Sequence, residues 1–173
     1  MRNQASSMIT GIQPTQALDV FLKDESVLDE IADCRLSRKS NPFSKLPIDR
    51  AIAWCTVSPT SRFKTLALAI TPYEMDGEKF KLTDLAKVLI NKSPEPWLVI
   101  EAFERAAIPM SWSGSRASLI EQRAEMFEEL LSHENPDVVE STKKILSKLE
   151  KTVGRERADE ELRSRRSEER FEW

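Results

Sequence analysis

Between Leu130 and Val153 the chain commits itself to a helix that must pack against something. Leu130 and Leu131 are followed by the polar turn Ser132-His133-Glu134-Asn135-Pro136-Asp137, and then by Val138, Thr142, Ile145 and Leu149. Those four stand at i, i+4, i+7 and i+11, which lines them up in one stripe on a helix. Asn135 ahead of Pro136 is a start signal, because the Asn side chain accepts from an orphan amide and Pro has no amide to leave orphaned. Gly154 reads as the stop, since glycine closes a helix in the left-handed conformation without steric cost.

The same design recurs along the chain. Ala17, Leu18, Phe21 and Leu22 fit one helix, and Val27, Leu28, Ile31 and Ala32 fit a second or its continuation. Residues 37–45 read as a loop. Pro47 opens a helix carrying Ile48, Ala51, Ile52 and Cys55, Ser58-Pro59-Thr60 breaks it, and Phe63, Leu66, Ala67 and Ile70 give the next face. Asp76-Gly77 marks a tight turn that permits a small hairpin between Tyr73 and Phe80. Leu82, Leu85, Ala86 and Leu89 follow the helical period, and Ser93-Pro94-Glu95-Pro96 starts a helix bearing Trp97, Ile100, Phe103 and Ala107. After the Ser111-Trp112-Ser113-Gly114-Ser115 loop, Ile120, Ala124, Phe127 and Leu131 carry a helix into the opening stretch.

The expected fold class is therefore all-α: stacked antiparallel helical hairpins, as a short solenoid or an irregular bundle. Residues 1–14 are expected to be flexible, 15–153 to form the helical domain, and 154–173 to form a charged, frayed helical tail. From Arg155 to Glu172 the tail holds six Arg and seven acidic residues, against Ala158, Leu162 and Phe171 as its only apolar ones. Pairs such as Asp159 with Arg163 and Glu161 with Arg165 support a helix at i, i+4. So little apolar area cannot dock it strongly, which leaves Phe171 and Trp173 as candidate anchors.

A length of 173 residues suits one domain with a core of its own, and a net charge of −3 gives no overall pull towards nucleic acid or anionic lipid. Cys34, Cys55 and His133 are too few and too scattered for a structural zinc site. The longest strictly apolar run, Leu66 to Ile70, is far too short to span a bilayer. A cytoplasmic location is the default expectation, with no cofactor and no membrane contact.

Leu89-Ile90 and Ser93-Pro94-Glu95-Pro96-Trp97 overlay Leu130-Leu131 and Asn135-Pro136-Asp137-Val138, and the Pro47 helix, with Trp54 in place of Trp97, lies about one period earlier. Periods of roughly 40 to 47 residues belong to helical-hairpin repeats. Residues 130–149 resemble a HEAT/armadillo-type element: paired Leu, a short Asn-Pro-Asp turn, then a helix ending Ile-Leu-x-x-Leu. The departures are Val139, where the family carries a basic residue, and Ser141 and Thr142, where it carries Ala. The resemblance implies an α-solenoid that binds proteins or nucleic acid and has no chemistry of its own. The Ser-Trp-Ser-Gly-Ser-Arg segment and the charged end are also similar to the ends of larger bacterial proteins with helical-repeat tails, which implies a role beside a larger machine.

Catalytic signatures are missing. Glycines at 11, 77, 114 and 154 spell no phosphate loop, dinucleotide turn or nucleophile elbow. Glu129 and His133, at i, i+4, read as a surface pair before an acid–base dyad, and a couple between His133 and a cysteine has no sequence support. Glu121, Glu125, Glu128 and Glu129 share a helix without a matching second set of ligands. Two binding candidates remain. Trp112 and Arg116, with Trp97, are residue types that anchor protein interfaces, though a Trp filling a gap between helices is the plainer reading. Lys144, Lys148, Lys151 and Arg155 place four cations along one helix side, where they would follow a phosphate backbone or simply face water near a helix C-terminus. The expected function is a non-enzymatic protein-interaction or scaffold module, with nucleic-acid binding as the alternative, and self-association through terminal helices unless these are covered.

Overall fold

A computed structural model describes residues 14–22, 41, 43 and 46–171. The expected helix at Val27 to Ala32, Cys34, most of the 37–45 loop and the Trp173 anchor lie outside the described residues. Within them the chain is mostly helical. Helix α1 (Pro14–Phe21) leads to three consecutive helical hairpins: α2 (Ile48–Val57) with α3 (Pro59–Ala69), α4 (Asp84–Lys92) with α5 (Pro96–Ala107), and α6 (Arg116–Ala124), prolonged by a 3-10 helix (Glu125–Ser132), with α7 (Pro136–Phe171). The second helices pack in series, α3 on α5 and α5 on α7.

The starts are set by local chemistry. Pro stands in the first turn of α3 and of α5. The Thr83 hydroxyl accepts from the Ala86 amide (3.3 Å), and Asn135 Oδ1 accepts from the Asp137 amide (2.9 Å) as its position before Pro136 implies. The stripe of Val138, Thr142, Ile145 and Leu149 is buried, and the Thr142 hydroxyl is satisfied by donating to the Val138 carbonyl (2.8 Å). Between α3 and α4, β1 (Tyr73–Asp76) and β2 (Lys79–Leu82) pair antiparallel, with Tyr73 opposite Leu82. Gly77 takes φ 62° in the two-residue turn, where a side chain would be strained. The Tyr73 and Phe80 rings meet edge to face at 5.3 Å and lie near the guanidinium of buried Arg123, whose Nη1 donates to the Ala106 carbonyl (3.1 Å).

Three expectations need correction. Leu82 belongs to β2, because Thr83 caps α4 behind it. The segment after Ala124 tightens to a 3-10 helix, whose three-residue turn aligns Phe127 with Leu130 and turns Leu131 outward. Gly154 does not stop α7, which continues to Phe171. Glycine costs about 1 kcal/mol relative to Ala inside a helix, and side-chain contacts on either side of that residue hold the helix together across it.

The first hairpin is tied to α1 through a tryptophan. Trp54, 4% exposed, donates its indole N–H to Asp19 Oδ1 (2.7 Å). Arg62 Nη2 donates to the same oxygen (3.0 Å), Nη1 donates to the Trp54 carbonyl (3.1 Å), and the guanidinium lies 4.5 Å from the centre of the Trp54 ring. Neighbouring Cys55 is buried, and burial pushes its thiol up to about 12 against the weaker opposing pull of Arg62.

Candidate protein-binding surface

Arg116 and Trp112 are brought together. The loop of residues 108–115 ends with Gly114 at φ 79°, a conformation suited to glycine, and Ser115, which caps α6 by accepting from the Ser118 amide (3.1 Å). Arg116 then opens α6 and folds back, so that its guanidinium carbon lies 4.6 Å from the centre of the Trp112 ring, a cation–π distance. Trp112 remains 40% exposed and Met110, two residues earlier, is 71% exposed.

The acidic side of the site comes from α7. Arg116 Nη1 donates to Glu156 Oε1 at 2.6 Å. Ser115 Oγ donates to Glu160 Oε2 (2.8 Å), and the amides of Arg116 and Ala117 donate to Glu160 Oε1 (2.7 and 3.2 Å). A carboxylate from one helix thus takes up amides left free at the start of another, where the helix dipole also favours negative charge. The Ser115 hydroxyl, then the Ala117 and Arg116 amides and the charge of Arg163, hold the Glu160 carboxyl below the usual glutamate range. Arg157 adds a contact to Glu121 (2.6 Å). Arg116 Nε is buried without a hydrogen-bond partner among the described residues.

Glu156 and Glu160 are the residues of this candidate surface that motif reasoning missed. Their signal is positional: the stripe of 142, 145, 149 and 153 continues at helical spacing to 156 and 160, changing from apolar to acidic as α7 reaches the start of α6.

Trp97 stands apart. It is 45% exposed at the start of α5, while the Trp112 loop follows the other end of that 12-residue helix, about 16 Å away along its axis. The basic stripe is partly spent within the fold. Lys144 pairs with Glu140 (2.5 Å), whose carboxyl it holds below the ordinary range, and Lys148 pairs with the buried Glu104 (2.8 Å). Lys151 and Arg155 are exposed.

Glu129 does not face His133. It pairs with Lys87 (2.8 Å) and accepts from the Leu82 amide (3.3 Å), whereas His133 Nε2 meets Asn91 Oδ1 (2.7 Å) and its Nδ1 accepts from the Asn135 amide (3.1 Å). An open depression of about 400 Å³ lies beside this histidine, lined by Glu134, Pro136, Val139, Glu140 and Lys143. Among the described residues no cluster of three or more His, Cys, Asp or Glu side chains is placed to hold a metal ion, and no helix is long and apolar enough to cross a membrane.

Compared with family models, curated proteins and solved structures, the chain matches none of them.

Proposed function

We propose that this chain is a non-enzymatic protein-binding module, built as a short HEAT-like stack of helical hairpins and working beside a larger assembly. The observation that carries the binding reading is the pairing of a half-exposed Trp112 with Arg116 on a loop whose base is fixed by the Ser115 cap and by Glu160. Aromatic and arginine side chains contribute most to protein interfaces where a rigid base presents them. The repeat reading is supported by spacing. Four polar links from the third hairpin to the second and its leading strand join residues 42 to 47 apart, His133 with Asn91, Glu129 with Lys87, Lys148 with Glu104, and Glu129 with Leu82, while Arg123 with Ala106 spans the 17 residues across the connecting loop. Near-constant offsets are what stacked copies of one unit produce.

The nucleic-acid alternative rests on Lys151 and Arg155, since Lys144 and Lys148 are already paired within the fold. The deciding experiment is capture of partners from native lysate by the tagged chain and by its Trp112→Ala variant, with and without nuclease. A stoichiometric protein that survives nuclease and is lost with Trp112→Ala is the expected result. Capture of nucleic acid alone, abolished by Lys151→Glu with Arg155→Glu, would replace this reading with the alternative.

A further inference from the structure

The contacts at the start of α6 also describe what the surface binds. One guanidinium, one hydroxyl and two backbone amides converge there, and all four donors are met by two carboxylates one turn apart on a single helix, Glu156 and Glu160. Taking the protein-binding reading as the starting point, we propose that the Trp112–Arg116 surface receives an acidic helix from another protein, with two carboxylates one turn apart. The C-terminal part of α7 fills the acid positions until that helix arrives.

Three features favour a foreign helix over the resident one. The resident segment is bound through the polar contacts of Glu156, Arg157 and Glu160: among the residues of α7 whose burial is described, Val153 is the last buried apolar one, and Leu162 beyond it is exposed. A partner that carries apolar side chains beside its carboxylates gains the uncovered area of Trp112 and Met110, which the tail leaves in water. The resident acid also uses the arginine incompletely. Glu156 engages Nη1 while Nε, on the opposite edge of the guanidinium, stays buried and unmatched, so a carboxylate approaching side-on onto Nε and Nη2 finds the bidentate geometry guanidinium groups favour. Gly154 supplies the joint for release, since it lowers helix propensity between the anchored body and the tail. Until displaced, the tethered tail competes at the high effective concentration of an intramolecular ligand.

The test uses the full-length chain and a labelled synthetic peptide copying residues 150–173, which carries both carboxylates. Fluorescence anisotropy is expected to show binding to the Glu156→Gln, Glu160→Gln variant at least about tenfold tighter than to the wild type. Binding should be lost when Arg116→Ala is added, and it should weaken with salt. Equal affinity for wild type and released chain, or equal binding of a control peptide with both glutamates changed to Gln, would overturn the proposal. Should the double variant fold poorly, the wild type alone decides: saturating peptide must accelerate hydrogen exchange across residues 155–171, and unchanged exchange rejects displacement. Wild-type dimers that dissociate on Arg116→Ala would put a second copy's tail in the site and reject a foreign helix. A protein captured through Trp112 while the peptide stays inert would defeat this inference and leave the binding reading intact. A peptide that binds while Trp112→Ala still captures the same partners would defeat that reading alone.

Discussion

The fold uses one set of side chains twice. Trp54, Arg62 and Asp19 at one end, and Trp112, Arg116 and Glu156 at the other, each combine a tryptophan, an arginine stacked on it and a carboxylate bound to that arginine. The guanidinium-to-ring distances, 4.5 and 4.6 Å, are nearly equal. The difference lies in what surrounds the ring. Trp54 is enclosed and its indole N–H is taken by Asp19, so the first set joins α1 to the hairpin behind it. Trp112 sits on a loop with much of its ring in water, and no hydrogen bond holds its indole among the described residues. The same stacked guanidinium therefore sits in two different settings, and burial of the aromatic surface with its indole hydrogen bond separates them.

The largest expected effect concerns the two rings. Trp54→Ala should cost about 3–5 kcal/mol of unfolding free energy, the range for emptying a core aromatic site, whereas Trp112→Ala should stay within about 1 kcal/mol. Urea titration of both variants checks this, and equal losses would abolish the distinction.

The enclosed set also shields its neighbour. With Cys34→Ser removing the other thiol, Cys55 should react with a thiol reagent at pH 8 on the order of 10³ times slower in the folded chain than in denaturant. Rapid labelling would mean that the Trp54 region opens as freely as the Trp112 loop.

A smaller change is expected from Asp19→Ala, about 1 kcal/mol, because the half-exposed carboxylate leaves partners that water can partly satisfy. A loss as large as that of Trp54→Ala would assign the joint to the polar contact and not to the ring.

The gentlest probe is pH. Since the folded state holds the Glu160 carboxyl below its usual range, its contribution is complete above the ordinary glutamate value and fades as pH falls through the lowered one. Amide NMR shifts of Arg116 and Ala117 should report that transition, with a midpoint below the ordinary range, and Glu160→Gln should erase it. A midpoint above that range would remove Glu160 from the start of α6, beside the second set.

The helices were readable where apolar residues recur regularly and a proline or capping side chain marks the start, as at Asn135-Pro136 and Ser93-Pro94-Glu95-Pro96. Leu82 misled because its spacing to Leu85 and Leu89 suits a helix equally well, and a strand pairing with residues nine positions away leaves no such local mark. The 3-10 segment escaped because spacings of three and four both fit an α-helix until Leu131 is seen to point outward. In the candidate site, Trp112 and Arg116 announced themselves by residue type. Glu156 and Glu160 did not: within so charged a segment residue type does not distinguish a carboxylate that caps another helix 45 residues away from one that faces water, and only their place on the continued stripe does.

Gly154 finally gives the molecule a mechanical character. Among the described residues no atom outside its own helix would meet a Cβ placed there within 4 Å, and its φ is not positive, so neither room nor backbone conformation requires glycine at this point. A pull applied at Phe171 is borne first by the contacts of Glu156, Arg157 and Glu160 with α6, and reaches this joint once they give way. Drawing out residues 155–171 lengthens that segment from about 25 Å to about 58 Å. The chain thus yields some 30 Å of slack before the buried stripe of Val138, Ile145 and Leu149 carries any load.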